Sequence, residues 1–316
     1  MQRLFIYMCT ALCTVFLLHA DVSAQNEAGW DVLLQDYSAR QSAMAGTGTA
    51  LSMDVMSLFC NPAAIAGNTR SYAGVTFINQ VLDVNSGTLV FSTPVSPRYV
   101  VAAALRFTSY GSMDRADQFG TVDGTFSPGD YVLSVSVASN QLKNFTYGIS
   151  LKGLYSRIDQ YAASAAAVDA GCIYSIPSQS MTVGASLQNA GKTIDAFINE
   201  KESLPVSVRA GITKRLAHLP LMLLLDAVYP LYKTGDSDLF WSLAGEFTVS
   251  DNILLRWGYS SMGPGQNPQE DAGRIKGISL GLGIFVQEYR LDYGWRSRGI
   301  LGNLHAVTLN IPFDIH

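Results

Sequence analysis

The feature that most constrains this chain is a two-residue alternation between apolar side chains and small or polar ones. It recurs in short segments throughout residues 70–313. In residues 181–188 the apolar side is formed by Met181, Val183, Ala185 and Leu187, with Thr182, Gly184, Ser186 and Gln188 between them. A period of two places alternate residues on opposite faces of a β-strand. Roughly fourteen such segments follow one another, so we expect an all-β fold.

The composition of the polar face separates a membrane barrel from a soluble sandwich. That face consists mainly of Gly, Ser, Thr and Ala with isolated charges, and only 15% of all residues are charged, against about 25% in typical soluble proteins. Small polar residues suit the crowded interior of a barrel, whereas the outer face of a soluble sheet carries many Lys and Glu. The pattern therefore predicts apolar side chains facing lipid.

The predicted connections alternate between short and long. Short turns are expected near residues 94–97, 140–143, 177–179, 214–219, 250–252 and 286–288. Longer connections are expected at residues 109–128, 158–164, 190–203, 233–238, 261–273 and 298–302. Bacterial outer-membrane barrels have tight periplasmic turns, longer outer loops and an even number of strands. We predict a transmembrane antiparallel β-barrel of about 14 strands over residues 70–313.

The first 24 residues have the pattern of a secretory signal peptide. Arg3 supplies the positive flank, residues 4–18 form the apolar core, and Val22-Ser23-Ala24 is a small-residue cleavage site. We expect export and insertion into the outer membrane. Only Cys60 and Cys172 follow the signal, too few for a disulfide scaffold.

Residues 25–69 lack the strand alternation and contain short stretches that favour helical turns. This region carries Ser38-Ala39-Arg40, the run Ala45-Gly46-Thr47-Gly48-Thr49-Ala50 and Asn61-Pro62-Ala63-Ala64. Further pieces include Tyr110-Gly111, Asp169-Ala170-Gly171, Gln188-Asn189-Ala190-Gly191 and Leu291-Asp292-Tyr293-Gly294. In order and spacing the chain resembles the PorV/PorQ family of outer-membrane proteins, its PorQ branch in particular, within the FadL-like superfamily.

This resemblance implies a partly helical plug at residues 25–69 inside a fourteen-stranded barrel. It assigns to the plug the motif residues Ser38, Arg40, Gly46, Gly48, Asn61 and Pro62. It also implies an accessory role in type IX protein secretion, in which the barrel holds a surface partner or cargo. Cys60 and Met44-Ala45 depart from the family pattern without affecting the expected fold.

Isolated charges fall on the face that we expect to line the lumen. They are Arg106, Lys152, Arg209, Asp226, Glu246, Arg256, Arg290 and Asp292. Charges inside a spanning barrel pair with one another or line a polar path. Salt bridges that fix the plug are favoured over a selectivity filter. The aromatic residues of the opposite face predict interfacial girdles.

Enzymatic signatures are weak. Gly277-Ile278-Ser279-Leu280-Gly281 has nucleophile-elbow spacing but falls inside a predicted strand, and Gly191-Lys192-Thr193 lacks the upstream glycine of a phosphate loop. His218, His305 and His316 are scattered. A solvated loop is favoured over a cation site for Asp114, Asp117, Asp123 and Asp130. We expect no catalytic residues, bound metal or cofactor, and the net charge of −4 argues against nucleic-acid binding.

Two functions are considered. The first, which the resemblance implies, is a docking component for protein secretion, with outer-membrane lipid and a protein of the secretion or surface-attachment machinery as partners. The alternative is a FadL-like channel that passes hydrophobic small molecules across the outer membrane. The alternative predicts an apolar pocket formed by Met44, Met53, Met56, Phe59 and the adjacent wall.

Overall fold

The computed structural model describes residues 29–81, 83–116, 119–198, 201–232, 239–261, 276–299 and 302–314. The predicted signal peptide at residues 1–24 lies outside these residues. So do Asp117, His316 and most of the predicted connections at residues 233–238 and 261–273.

Within the described ranges the chain forms sixteen strands and one short α-helix. The helix, α1, is Ala39–Ala43, and 3₁₀ turns lie at Asp31–Leu33, Met56–Phe59, Pro62–Ile65 and Pro177–Gln179. The strands are β1 Ser71–Asn79, β2 Asn85–Ser96, β3 Tyr99–Ser109, β4 Met113–Ala116, β5 Val122–Phe126, β6 Gly129–Leu142, β7 Phe145–Ile158, β8 Tyr161–Ile176, β9 Met181–Asp195, β10 Ser207–Arg215, β11 Leu221–Pro230, β12 Phe240–Ser250, β13 Ile253–Ser260, β14 Lys276–Val286, β15 Tyr289–Arg298 and β16 Asn303–Phe313. No helix among the described residues combines the length and apolar character needed to cross a membrane.

Fourteen of the described strands close into one antiparallel barrel, and β4 pairs with β5 in a separate hairpin. The barrel closes where β1 pairs with β16, from Ser71 opposite Phe313 to Asn79 opposite His305. Closure leaves no strand edge unpaired. Backbone N–H and C=O groups in lipid have no water to bond, so an unpaired edge there would be costly. The predicted fold class, an antiparallel barrel of about 14 strands, is confirmed.

The alternation in sequence becomes an inward and an outward face. On β13, Leu255 and Trp257 are exposed on the outside, whereas Arg256 between them is buried inside. On β7, the outward residues Tyr147 and Tyr155 are eight positions apart and are separated by aliphatic side chains. Eight residues cover about 20 Å of depth in a tilted strand, close to the apolar band of roughly 25 Å in such barrels. This outer surface is that of a barrel that spans a membrane.

The two ends of the barrel differ. The end that carries the β2–β3, β6–β7, β8–β9, β10–β11, β12–β13 and β14–β15 turns is called the short-turn end here, and the opposite end is called the long-loop end. Barrel orientation places the long-loop end outside the cell. One predicted long connection is wrong: residues 158–164 include only a two-residue turn, because β7 and β8 pair as far as Ile158 opposite Tyr161. The predicted connection at residues 190–203 also starts too early, since β9 continues to Asp195.

Candidate functional site

The residues Gly29–Asn68, called the interior segment here, lie inside the barrel. Their contacts reach inward-facing groups on widely separated strands. The backbone N–H of Ala39 donates to Oγ1 of Thr308 on β16 at 2.8 Å. On the opposite wall, Nδ2 of Asn61 donates to the carbonyl oxygen of Cys172 on β8 at 3.0 Å. The segment therefore connects opposite sides of the lumen.

The interior segment also runs the full depth of the barrel. The backbone N–H of Gly29 bonds the carbonyl oxygen of Ser203 in the β9–β10 connection at the long-loop end. The segment leads into β1, which begins at Ser71 at the short-turn end. A molecule that crosses the lumen must therefore pass along this segment.

Glycines on the inner wall allow the interior segment to approach closely. An added Cβ at Gly258 would lie 2.7 Å from the carbonyl carbon of Met44, and one at Gly294 would overlap the carbonyl oxygen of Ala39. Gly281 and Gly294 are register partners, so they form one groove beneath α1. The inward glycines that face the segment are Gly74, Gly148, Gly171, Gly184, Gly211, Gly258, Gly281 and Gly294. The close approach of the interior segment explains why small residues occupy this face in the sequence.

Six charged side chains form a closed ring, called the charged ring here, between the interior segment and the wall. Its members alternate in sign, in the order Arg40, Glu246, Arg256, Asp292, Arg290 and Asp54. Arg40 contacts Glu246 through both Nη2 (2.7 Å) and Nε (2.8 Å). Arg256 joins Glu246 at 2.6 Å to Asp292 at 2.7 Å, and its side chain is completely buried. Three cations thus neutralise three carboxylates away from water.

Asp226 on β11 holds the loop that follows α1. Its Oδ2 accepts hydrogen bonds from the backbone N–H groups of Gly48 (2.9 Å) and Thr49 (3.0 Å) and from Oγ1 of Thr49 (2.7 Å). Arg209 donates to the same Asp226 atom at 3.3 Å and to the carbonyl oxygen of Gly46 at 2.7 Å. Gly46 has a φ of 87°, which favours glycine. The two predicted glycines and two predicted lumen charges therefore meet in one site.

The other motif residues begin and anchor short helical turns. Ser38 caps α1 by accepting a hydrogen bond from the N–H of Gln41 at 3.2 Å. Asn61 caps the turn Pro62–Ile65 through the N–H of Ala63 at 3.0 Å. Its Nδ2 also donates to the carbonyl oxygen of Thr49 at 2.8 Å. These side chains stabilise the segment and position it against the wall.

Lys152 lies apart from the charged ring. Its Nζ contacts Asp169 on β8 at 2.5 Å and Asn189 on β9 at 2.8 Å. Asp169 also accepts the backbone N–H of Asn189 at 2.7 Å, where the β8–β9 register shifts. Asn189 has a φ of 58°, a left-handed conformation that Asn tolerates. This buried trio holds an irregularity in the wall.

Sequence reasoning did not select several of these partners. Asp54 closes the charged ring, Asp169 pairs with Lys152, and Asp36 pairs with Arg296 at 2.8 Å. Asp169 could have been assigned to the lumen face from the sequence, because it continues the two-residue alternation of Ala163, Ala165 and Ala167 on β8. Asp36 and Asp54 lie outside any strand pattern and had no such signal.

The opposite side of the lumen carries few charges and holds an apolar cluster. Met56, Phe59 and Tyr37 of the interior segment pack in one cluster with inward residues of β2, β3 and β6. The members from the wall are Val90, Val100, Ala102, Ala104 and Ala138. On the inward faces of β1, β2, β3 and β6, all of them described in full, the charged residues are Arg106 and Asp130, both towards the long-loop end. The lumen thus has a charged side and a nearly uncharged side, called the apolar side here after this cluster, whose other inward residues include Thr88, Ser92 and Ser134.

Arg106 separates this cluster from a second apolar cluster at the long-loop end. Its Nη2 donates to the carbonyl oxygens of Val32 (2.9 Å) and Gln35 (3.0 Å), and its guanidinium lies 5.4 Å from the ring centre of Phe59. Among the described residues no carboxylate lies within ion-pair distance of Arg106. A buried cation is here satisfied by carbonyl groups and aromatic faces alone.

The second cluster, called the mouth cluster here, surrounds Trp30. Its members are Trp30, Val32, Val132, Leu154, Ala163, Ala165, Ala167 and Leu204, with the partly buried Leu33, Phe197 and Val206 packed against it. Trp30 Nε1 donates to Oγ1 of Thr193 at 3.1 Å. Its φ of 64° is strained for a bulky side chain, so the surrounding packing must hold it. The cluster places apolar surface at the outer entrance of the lumen.

The predicted methionine pocket does not assemble as one site. Met56 and Phe59 lie in the apolar cluster beside β2 and β3, but Met44 packs with Leu51, Met222, Leu224 and Ala244 on the other side of the lumen. Met53 is 68% exposed. The 3₁₀ turn at Met56–Phe59 explains the difference, because it directs this part of the segment towards β2, β3 and β6.

The residues weighed for chemistry have other surroundings. Ser279 is buried within β14, whose register shift near Gly277 is not a strand-to-helix turn. His218 lies in the β10–β11 turn, and Nδ1 of His305 is 2.8 Å from the Tyr293 hydroxyl. Asp130 is held by the hydroxyl of Tyr110 at 2.6 Å. In the part of the chain that the structure describes, no cluster of three His, Cys, Asp or Glu residues is placed to hold a metal.

Two remaining features lie away from the lumen network. Cys60 is buried inside, whereas Cys172 lies on the outward face of β8, and neither forms a disulfide. The β4–β5 hairpin lies beyond the long-loop end, where Arg115 pairs with Asp159. Hydrogen bonding to Asp159 raises the pKa of Arg115, so this guanidinium stays charged.

Comparison with solved structures identifies the same barrel architecture elsewhere. The Pseudomonas putida toluene transporter TodX aligns with a TM-score of 0.59 and 12% identity, over 87% of this chain and 96% of that one. The Ralstonia pickettii toluene transporter TbuX gives 0.57 and 14%, over 88% and 98%. A Pseudomonas aeruginosa FadL homologue gives 0.55 and 13%, over 89% and 98%. No family model and no curated protein sequence matches the chain.

These similarities establish a FadL-like barrel fold. The apolar outer surface and this fold place the protein in the outer membrane, as predicted. The resemblance is therefore confirmed at the level of the fold, and nothing in the comparisons supports the narrower PorV/PorQ assignment. TodX and TbuX are described as toluene transporters.

Proposed function

We propose that this protein is an outer-membrane channel for apolar small molecules, the second of the two functions considered from the sequence. The mouth cluster carries the proposal. Leu33, Phe197 and Val206 are partly exposed there, around the buried Trp30. Contact with such side chains favours an apolar molecule by roughly 25 cal/mol for each Å² removed from water.

The physical need for such a channel lies in the outer membrane itself. Apolar molecules cross its polar outer layer slowly, and a barrel with an apolar entrance offers another route. TodX and TbuX are described as toluene transporters, and they support the proposal by fold alone. The interior segment closes the lumen at rest in this proposal, and its motif residues hold it in place.

Uptake of radiolabelled toluene by intact cells tests the proposal. The host strain should lack hydrocarbon channels of its own, and cells that carry an empty vector give the background. We expect uptake above background with the full chain. A Phe197→Asp variant, which adds charge to the mouth cluster without touching the charged ring, should reduce uptake. Equal uptake by full-chain and empty-vector cells would reject the function.

A docking role in protein secretion is the second candidate. The observation that favours it is the β4–β5 hairpin, in which every residue of Met113–Ala116 is exposed and Phe119 in the connecting turn is 83% exposed. Apolar side chains on a projecting hairpin suit contact with a protein. No comparison supports a protein partner.

The docking candidate is tested by purification from outer membranes in mild detergent. The full chain and a variant with residues 112–127 replaced by a short Gly-Ser linker are compared by mass spectrometry. A partner recovered only with the full chain would favour docking. Recovery of the same proteins with both chains would reject the hairpin as a docking surface.

A further inference from the structure

Resting on this proposed function, we infer that apolar molecules pass along the inner face of β2, β3 and β6, and that rotation of the Met56 and Phe59 side chains opens this path. The backbone of the interior segment stays in place during passage. The charged side of the lumen is a fixed support in this arrangement.

The first argument is the unequal way in which the interior segment is held. On the side of β10–β16, Arg40 and Asp54 belong to the charged ring and Asp226 holds Gly48 and Thr49. Displacing this side would break several buried ion pairs at once, which is costly because each leaves an uncompensated charge. Passage on the charged side is therefore unfavourable.

The second argument is the position of the turn Met56–Phe59 between two anchors. Asp54, just before the turn, is held by Arg40 and Arg290 and accepts the N–H of Met56 at 2.9 Å. Asn61, just after it, bonds Thr49 and the wall. The backbone of this turn is restrained at both ends, so its side chains are the parts free to rearrange.

The third argument is the chemistry of the wall beside this turn. Its inward residues are small or apolar, including Ala102, Ala104 and Val90. The buried hydroxyls of Ser92 on β2 and Ser134 on β6 have no hydrogen-bond partner among the described residues. These hydroxyls would meet water or a passing molecule once the side chains rotate. Methionine suits this role, because its unbranched thioether adapts readily to different packing.

Arg106 marks the narrow point of the path below the mouth cluster. It lies between the mouth cluster and the Met56 cluster and is bound by Val32, Gln35 and the aromatic rings of Tyr37 and Phe59. Rotation of Phe59 removes one of these rings and joins the two apolar regions. The path thus leads from the mouth cluster past Arg106 to Tyr72 and Val100 near the short-turn end.

The chain offers a matched pair of methionines for the test. Met56 and Met44 are both 1% exposed and both lie on the interior segment, but they belong to the apolar and the charged side respectively. Met56→Ala and Met44→Ala remove the same atoms and should destabilise the protein similarly. Each variant is assayed for toluene uptake at equal outer-membrane abundance.

We expect severalfold faster uptake with Met56→Ala and no change with Met44→Ala. Equal effects in both variants, or an effect of Met44→Ala alone, would overturn the path while leaving the channel function standing. Absence of uptake by the unmodified chain would instead reject the channel function. Because the two failures appear in different samples, they are distinguishable.

A second readout tests whether the backbone stays in place. Cys60 follows the turn directly, is fully buried, and its Sγ lies 2.8 Å from the Tyr37 hydroxyl. A Cys172→Ser background removes the outward-facing thiol. The reaction of Cys60 with a membrane-impermeant maleimide then reports movement of the segment. We expect equally slow labelling with and without toluene. Labelling that accelerates with toluene would show displacement of the segment and overturn side-chain gating.

Discussion

Arg40 Nη2 lies 2.7 Å from Oε1 of Glu246, so a side chain from the five-residue helix α1 is bound to a strand about two hundred residues later. This contact is one side of the charged ring. It explains how a segment with little regular structure of its own keeps a defined position inside a barrel.

Replacing Arg40 with Met should strongly destabilise the protein. Glu246 and Asp54 would each lose a cation while remaining buried, a loss that costs about 3–5 kcal/mol. Urea unfolding in detergent micelles, followed by tryptophan fluorescence, measures the change. Arg70→Met is the control, because Arg70 pairs with Asp314 and Glu288 at the exposed rim. A midpoint of R40M equal to that of the unmodified chain would contradict the role of the ring.

The groove beneath α1 should tolerate no added side chain. In Gly294→Ala the new Cβ would overlap the carbonyl oxygen of Ala39, and overpacking of this kind costs about 1–3 kcal/mol. Gly153 is the matched control, since a Cβ there meets no atom within 4 Å. We expect G294A to unfold at lower urea than the unmodified chain and G153A to be nearly unchanged. Similar midpoints for the two variants would argue against the groove.

The barrel was predictable because each of its strands carries its own signal. Leu255, Trp257 and Tyr259 on β13 alternate with buried residues in the sequence just as they do in space. In the sequence the inward glycines could be recognised only as small residues on the lumen face. Glycine is needed at these positions because the interior segment lies directly against them. No pattern of period two predicts which part of another segment will lie opposite a given glycine.

The arrangement of the interior was less predictable. Arg256 and Asp292 could be assigned to the lumen face from alternation, but their connection to Arg40 and Asp54 depends on the path of the segment. That path is set by caps such as Ser38 and Asn61 and by non-local packing. The methionine pocket was wrong for the same reason, because sequence proximity did not indicate that Met44 and Met56 face opposite walls.

Arg106→Met should cost less than Arg40→Met despite similar burial. Arg106 forms no ion pair with the described carboxylates, so its replacement leaves no charge uncompensated. The loss comprises hydrogen bonds to Val32 and Gln35, each worth about 1 kcal/mol, and it is offset by removing a buried cation. The same urea experiment compares both variants. Destabilisation by R106M as large as that by R40M would indicate an additional anionic partner.

Deleting residues 29–67 should leave a barrel that inserts into membranes and conducts ions. Without the segment, Arg256 and Arg290 still pair with Glu246 and Asp292, so these four charges of the wall stay balanced. Its inward face is otherwise rich in glycine, serine and threonine and would fill with water. Planar-bilayer recording should show steady conductance for the deletion variant and little for the full chain. Equal conductance of the two would mean that the interior segment does not close the lumen, even though it crosses from one end of the barrel to the other.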